Sequence, residues 1–100
     1  MSSGFRHVVM FVWAEGTTVA QQEEVAAKLA ELPGQIPQIA AYSTGIDAGV
    51  NPNTWDFVVV ADFADRDAYL VYRDHPAHRD VIDAYITPIA AQRASVQYDT

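Results

Sequence analysis

Apolar residues recur along this chain at two different spacings, and the switches between them mark out the elements. From Phe5 to Trp13 the residues are nearly all apolar. Phe5, His7, Val9, Phe11 and Trp13 share one face of an extended segment, and Val8, Met10 and Val12 share the other. β-branched and aromatic residues suit a pleated surface, so the stretch predicts a strand buried on both sides. Glu15-Gly16-Thr17 predicts a turn. The period then lengthens. Val25, Leu29 and Leu32 form one stripe of a helix from about Val19 to Leu32, with Gln22 at its edge. Thr18 and Gln21 have the spacing of a capping box, and Glu24 and Lys28 that of a helical ion pair. Pro33-Gly34 ends the helix.

Gln38 to Asp47 alternates less cleanly, with Ile39, Ala41 and Ser43 on one face and Ala40, Tyr42 and Thr44 on the other. It predicts a second strand. After an Asn51-Pro52-Asn53 turn, Trp55 to Phe63 is the clearest strand in the chain. Trp55, Phe57, Val59, Ala61 and Phe63 face one way, and Val58 and Val60 the other, flanked by Asp56 and Asp62. Asp65 can cap the next helix, with Asp67 in its first turn. That helix carries Tyr69 and Tyr72, breaks at His75-Pro76, resumes through Val81, Ile82 and Tyr85, with Ile82 and Tyr85 on the same face as His78, and closes at Thr87-Pro88. Ala90 to Tyr98 alternates again, Ala94, Val96 and Tyr98 against Arg93, Ser95 and Gln97. The order βαββαβ predicts a single ferredoxin-like α+β domain over residues 1–100: a four-stranded antiparallel sheet with two helices on one face.

That plan leaves the other sheet face bare. An antiparallel sheet with a wet face alternates apolar and polar residues, yet the first and third strands are apolar on both sides. Exposing that surface forfeits roughly 25 cal/mol per Å². A second copy of the same sheet is the expected cover, making a homodimer.

Composition narrows the partners. The net charge is −7, which argues against nucleic acid and against anionic membrane surfaces. There is no cysteine, so disulfide and thiolate chemistry are excluded, and a cytoplasmic protein is expected. The Val8–Trp13 run is too short for a membrane span and lacks the small-residue cleavage site of a signal peptide. No phosphate-binding glycine loop, nucleophile elbow or dinucleotide fingerprint is present, and no cofactor is expected.

The candidate chemistry gathers at the helix break. Pro76 removes a backbone donor and disfavours helical geometry at His75, while fitting the first position of a new helix. His75 is therefore read as the N-cap of the second segment. Tyr72, His75 and His78 cluster at the bend. His78 is either a general base, its ordinary pKa near 6.5 being suited to that task, or a histidine packed under the bend on a backbone carbonyl. Tyr72 is either an oxyanion donor or a half-buried core aromatic. The His75-x-x-His78 spacing supplies two imidazoles, too few for a zinc site, and no metal is expected. His7 breaks an otherwise apolar strand face. The aspartates at 62, 65, 67, 74, 80 and 83 read as helix starts and a solvated acidic rim that would discourage anionic ligands.

Three stretches, His7-Val8-Val9-Met10-Phe11, Ala61-Asp62-Phe63 and above all Tyr72-Arg73-Asp74-His75-Pro76-Ala77-His78, resemble the stress-responsive A/B barrel domain (Dabb) family. The resemblance spans nearly the whole chain. It implies a dimeric α+β barrel of ferredoxin-like subunits. It also implies one of several functions: stress-related or unassigned roles, or closure of a linear polyketide by aldol chemistry. In the family's cyclases the residues corresponding to Tyr72 and His78 act in acid/base catalysis, and that corresponding to His7 lines the same cavity. Where they carry a further histidine on the third strand, this chain has Phe57.

The expectation is thus a small homodimer with an apolar cavity beside Tyr72, His78 and His7, bordered by His75, Phe57 and Phe11 and walled off by the paired sheets. It would bind a small hydrophobic ligand. Two catalytic alternatives are a cofactor-free polyketide cyclase-like enzyme and a cofactor-free monooxygenase of the dimeric α/β barrel type.

Overall fold

The computed structural model describes residues 4–100. Strand β1 spans Phe5–Trp13, helix α1 Val19–Ala30, β2 Ile39–Ile46, β3 Phe57–Phe63, α2 Arg66–Asp74, α3 Pro76–Val81 and β4 Ala90–Asp99. The sheet order is β2-β3-β1-β4 and every neighbouring pair is antiparallel. This is the expected ferredoxin-like plan, with the second helix divided in two.

Local chemistry sets the element ends. Gly16 takes φ 86° in the turn after β1, a conformation glycine adopts without a Cβ clash. The Thr18 side chain accepts from the Gln21 amide at 3.1 Å, and the Gln21 side chain accepts from the Thr18 amide at 2.8 Å, a complete capping box. Helix α1 stops at Ala30, and Leu32–Gly34 forms a 3₁₀ turn around Pro33. Leu32 still reaches the core with Val25 and Leu29. Lys28 pairs with Glu31 at 3.9 Å rather than with Glu24, and its ammonium lies 5.5 Å from the centre of the Tyr85 ring. Strand β3 begins at Phe57, two residues later than expected. The reason is that Asp56 turns inward, its carboxylate accepting from the Trp13 amide at 2.8 Å and its own amide donating to the Phe11 carbonyl.

Asp65 caps α2 by accepting from the Ala68 amide at 2.8 Å. His75 then caps α3, its Nδ1 accepting from the Ala77 amide at 3.0 Å, with Pro76 at the first helical position. Such caps contribute about 0.5–2 kcal/mol. Beyond α3 the chain widens into one π turn over Ile82–Ile86, closed by the Thr87 amide on the Ile82 carbonyl at 2.8 Å.

The helices cover one face of the sheet. Their core partners include Val9, Phe11, Phe57, Val59, Ala61 and Phe63. The other face carries Val8, Met10 and Val12 from β1 beside Val58 and Val60 from β3, all only partly buried. Register decides how β4 contributes. Val96 lies opposite Val8 and Ala94 opposite Met10, so its apolar side extends the bare face, where Val96 is 55% exposed. Its polar side, Arg93, Ser95 and Gln97, faces the helices opposite Phe11, Val9 and His7. Arg6 and Asp62, cross-strand neighbours on the bare face, form a bidentate pair at 2.6 and 3.0 Å.

Candidate functional site

A cleft of about 360 Å³ opens between the sheet and the helices of a single chain. This corrects the expected location: the cavity lies on the helix side of the sheet, and not in a hollow walled by two paired sheets. The reason is strand alternation, which turns His7, Val9 and Phe11 together with Val59 toward the helices. Tyr42 of β2 and Tyr69 and Tyr72 of α2 add further wall, and His78, Ile82 and Ile86 close one side. The last three recur every four residues. The π turn keeps Ile86 in line with Ile82, while Tyr85, expected on this face, turns toward Lys28.

Tyr72 and His78 meet at the bend as predicted. Their rings stack with centroids 4.1 Å apart, and Tyr72 is 2% and His78 8% exposed. His78 Nδ1 lies 3.1 Å from the Arg73 carbonyl. A carbonyl only accepts, so Nδ1 carries the proton and the neutral ring leaves Nε2 as a bare acceptor. Burial pushes the His78 pKa below its usual value, against the carbonyl contact, and the fields of Arg79 and Arg93 act in the same direction as burial. Tyr72 shares a hydrogen bond of 2.9 Å with the Tyr42 hydroxyl. Burial raises the Tyr72 phenol above its ordinary range and pushes Tyr42 up to about 12, so both remain neutral donors at pH 7.

His7 reaches the same cleft, with its ring centroid 5.0 Å from Tyr69 and 6.2 Å from Tyr72. The Gln97 side-chain amide donates to His7 Nδ1 at 2.8 Å, which places the ring proton on Nε2. Burial, helped by Arg93 and His78, lowers the His7 pKa to about 4. Two imidazoles are thus held neutral, one with a bare nitrogen and one with an N–H available.

The remaining expected site residues fall elsewhere. His75 caps α3 and does not line the cleft. Phe11 lines it, but Phe57 does not: its ring packs 5.5 Å from Trp13 and borders a shallower hollow at the far end of the sheet, beside Met10 and Val58. Among the described residues no group of three or more His, Cys, Asp or Glu is placed to hold a metal ion. None of the acidic side chains expected at the rim lines the cleft. Asp62 is engaged by Arg6 on the bare face, Asp65 by the Ala68 amide and Asp74 by Arg73. Tyr42, Tyr69, Gln97 and the arginines at 73, 79 and 93 all contribute to the site without having been singled out in the sequence. One signal did exist for two of them: the polar triplet of β4 on an otherwise apolar plan.

These features define a ferredoxin-like α+β domain with a partly apolar cleft whose polar groups converge from the sheet and from the broken helix. The chain belongs to the stress responsive A/B barrel domain (Dabb) family, whose model matches residues 5–100. It is similar to a dimeric ferredoxin-like protein of unknown function from Thermobifida fusca, at 38% identity and TM-score 0.90, covering 100% of this chain and 93% of that one. A dimeric ferredoxin-like protein of unknown function from Bacteroides fragilis shares the fold at 23% identity and TM-score 0.84, covering 99% and 98%. So does a hydroxynitrile lyase from Passiflora edulis, at 14% identity and TM-score 0.87, covering 100% and 95%. Among curated proteins, none matches the chain. No helix among the described residues is long and apolar enough to cross a membrane.

Proposed function

We propose that the chain forms a homodimer through its bare sheet faces, and that each cleft binds a small hydrophobic carbonyl compound and moves a proton on it. The observation that carries the chemical part is His78: a neutral imidazole with Nδ1 anchored on a backbone carbonyl and Nε2 free, stacked on a buried phenol in a cleft. In this reading His78 Nε2 takes the proton from the carbon next to the carbonyl. Tyr72, supported by Tyr42, donates to the oxygen on which the negative charge develops. The N–H of His7 is a second donor. The same arrangement serves bond formation or cleavage beside a carbonyl, as in an aldol cyclisation. The dimer is supported by the apolar residues of the bare face and by the dimeric relatives from T. fusca and B. fragilis. Since the cleft opens on the helix side, pairing of the sheets leaves it accessible.

The test is α-hydrogen exchange of 4-phenylbutan-2-one in D₂O, followed by NMR. The wild-type protein should accelerate exchange. His78→Ala should lose about 10²–10⁴-fold of that acceleration, the usual contribution of a positioned base, while its melting temperature stays close to wild type. Should the alanine variant unfold, His78→Gln keeps an N–H for the Arg73 carbonyl and isolates the lost base. Binding without any acceleration would rule out the chemistry and leave a ligand-binding protein. Oxygen uptake with an electron-rich aromatic compound would instead favour the monooxygenase alternative.

A further inference from the structure

The chain has 13 acidic side chains and only six basic ones, yet three of those six, Arg73, Arg79 and Arg93, line this one cleft. No carboxylate lines it. Arg73 is already engaged by Asp74 at 3.0 and 3.1 Å. Arg79 and Arg93 have no carboxylate within ion-pair distance among the described residues. An acidic protein that spreads its cations for solubility would pair them with its surplus carboxylates. Here Arg93 makes no ion pair among the described residues, and Arg79 acts on Asp74 only through its field, both of them bordering a pocket.

Arg93 is the more informative of the two. It projects from β4 on the helix-facing side, opposite Phe11. It lines the main cleft and also a smaller extension of about 180 Å³ formed with Phe11, Ile82, Ile86, Thr87 and Ala90. Phe11, Ile82, Ile86 and Arg93 line both hollows, so the same guanidinium side chain borders each beside apolar residues. A guanidinium offers a planar fork of donors that matches a carboxylate or phosphate oxygen pair.

We infer that the ligand of this cleft is an organic anion, its apolar body lying against Phe11, Ile82 and Ile86 and its anionic head bound by Arg93, with Arg79 adding charge at the mouth. This rests on the reading of the cleft as a ligand site and narrows it to a carbonyl compound that also carries an acidic group. It replaces the expectation that the acidic surface repels anions.

The test uses three ligands of one shape: 3-phenylpropanoate, its neutral amide, and 3-phenylpropyl phosphate. Each is titrated into the full chain and followed by NMR shifts of the cleft histidines and tyrosines. One or both anions should bind at least tenfold more tightly than the amide, the tighter of the two naming the head group. Raising the salt concentration should erode the preference. Arg93→Gln should remove most of the preference, the loss falling on the anions far more than on the amide. Arg79→Gln should remove a smaller part. Equal binding of anion and amide by the wild type would overturn the inference and leave the ligand site intact. A preference that survives Arg93→Gln unchanged would overturn the role of Arg93. Binding of none of the three at millimolar concentration would overturn both the inference and the cleft reading beneath it.

Discussion

His7 should make this protein lose stability on mild acidification. The ring is 4% exposed and burial, with Arg93 and His78 nearby, lowers its pKa from 6.5 to about 4. Between those values the unfolded chain binds a proton at His7 that the folded chain refuses. Stability therefore rises with pH across this window and falls as the pH drops through it. Above pH 6.5 both states are neutral and the effect vanishes; below pH 4 both are protonated and the loss is complete. At about 1.36 kcal/mol for each pKa unit, the full loss is at most about 3 kcal/mol. Partners on every side are neutral or cationic: Gln97 at Nδ1, Tyr69 and Tyr72 across the cleft, and the fields of Arg93 and His78. None rescues the imidazolium. The measurement is urea unfolding of wild type and His7→Gln at pH 7, 5.5 and 4.5, at one fixed protein concentration because the proposed dimerisation would add to apparent stability. With m-values of about 1–3 kcal/mol per molar urea, the wild-type midpoint should fall by on the order of 1 M more than the variant's across the range. His78, whose pKa is also lowered, acts in the same sense but is common to both proteins and cancels in the difference. Parallel midpoint curves for the two proteins would refute the assignment of a neutral, proton-refusing His7.

Two further expectations concern packing. Tyr42→Phe leaves the Tyr72 hydroxyl without its partner at a 2% exposed residue, a loss of about 1–3 kcal/mol that should lower the melting temperature by several degrees. Tyr72→Phe should cost less, because the half-buried Tyr42 can turn to water, and an unchanged melting temperature in Tyr42→Phe would mean that cleft water substitutes for the bond. Val60→Lys places a charge in the middle of the bare sheet face, beside Val8 and Ser43. Sedimentation should show a wild-type dimer and a dissociated variant, and a wild-type monomer at micromolar concentration would overturn the pairing.

Much of the scaffold was legible because its determinants are local. The capping box at Thr18, the Asp65 cap, and the His75-Pro76 break each involve partners two or three residues apart, and a side chain's reach along the chain is readable from spacing. Strand alternation in β1 and β3 likewise follows from the two-residue period. Of the two misjudged details, one has a cause 43 residues away in the chain and the other a local one. Asp56 ends the β2–β3 loop by turning in to the Trp13 amide, and a π turn shifts Ile86 into the place expected of Tyr85.

The sequence by itself determined the order of elements, the apolar faces and the meeting of Tyr72 with His78, since all of these depend on neighbours within a turn or two. Only the tertiary structure decided which wall the cleft has. Gln97 reaches His7 across 90 residues and Tyr42 reaches Tyr72 across 30. The register of β4 against β1 turned Arg93 toward the helices and Val96 away from them. A one-residue slip in that pairing would exchange the two faces, and nothing within β4 itself distinguishes the alternatives. The choice is made by what each face meets: helices and an aromatic cleft on one side, and an uncovered apolar sheet on the other.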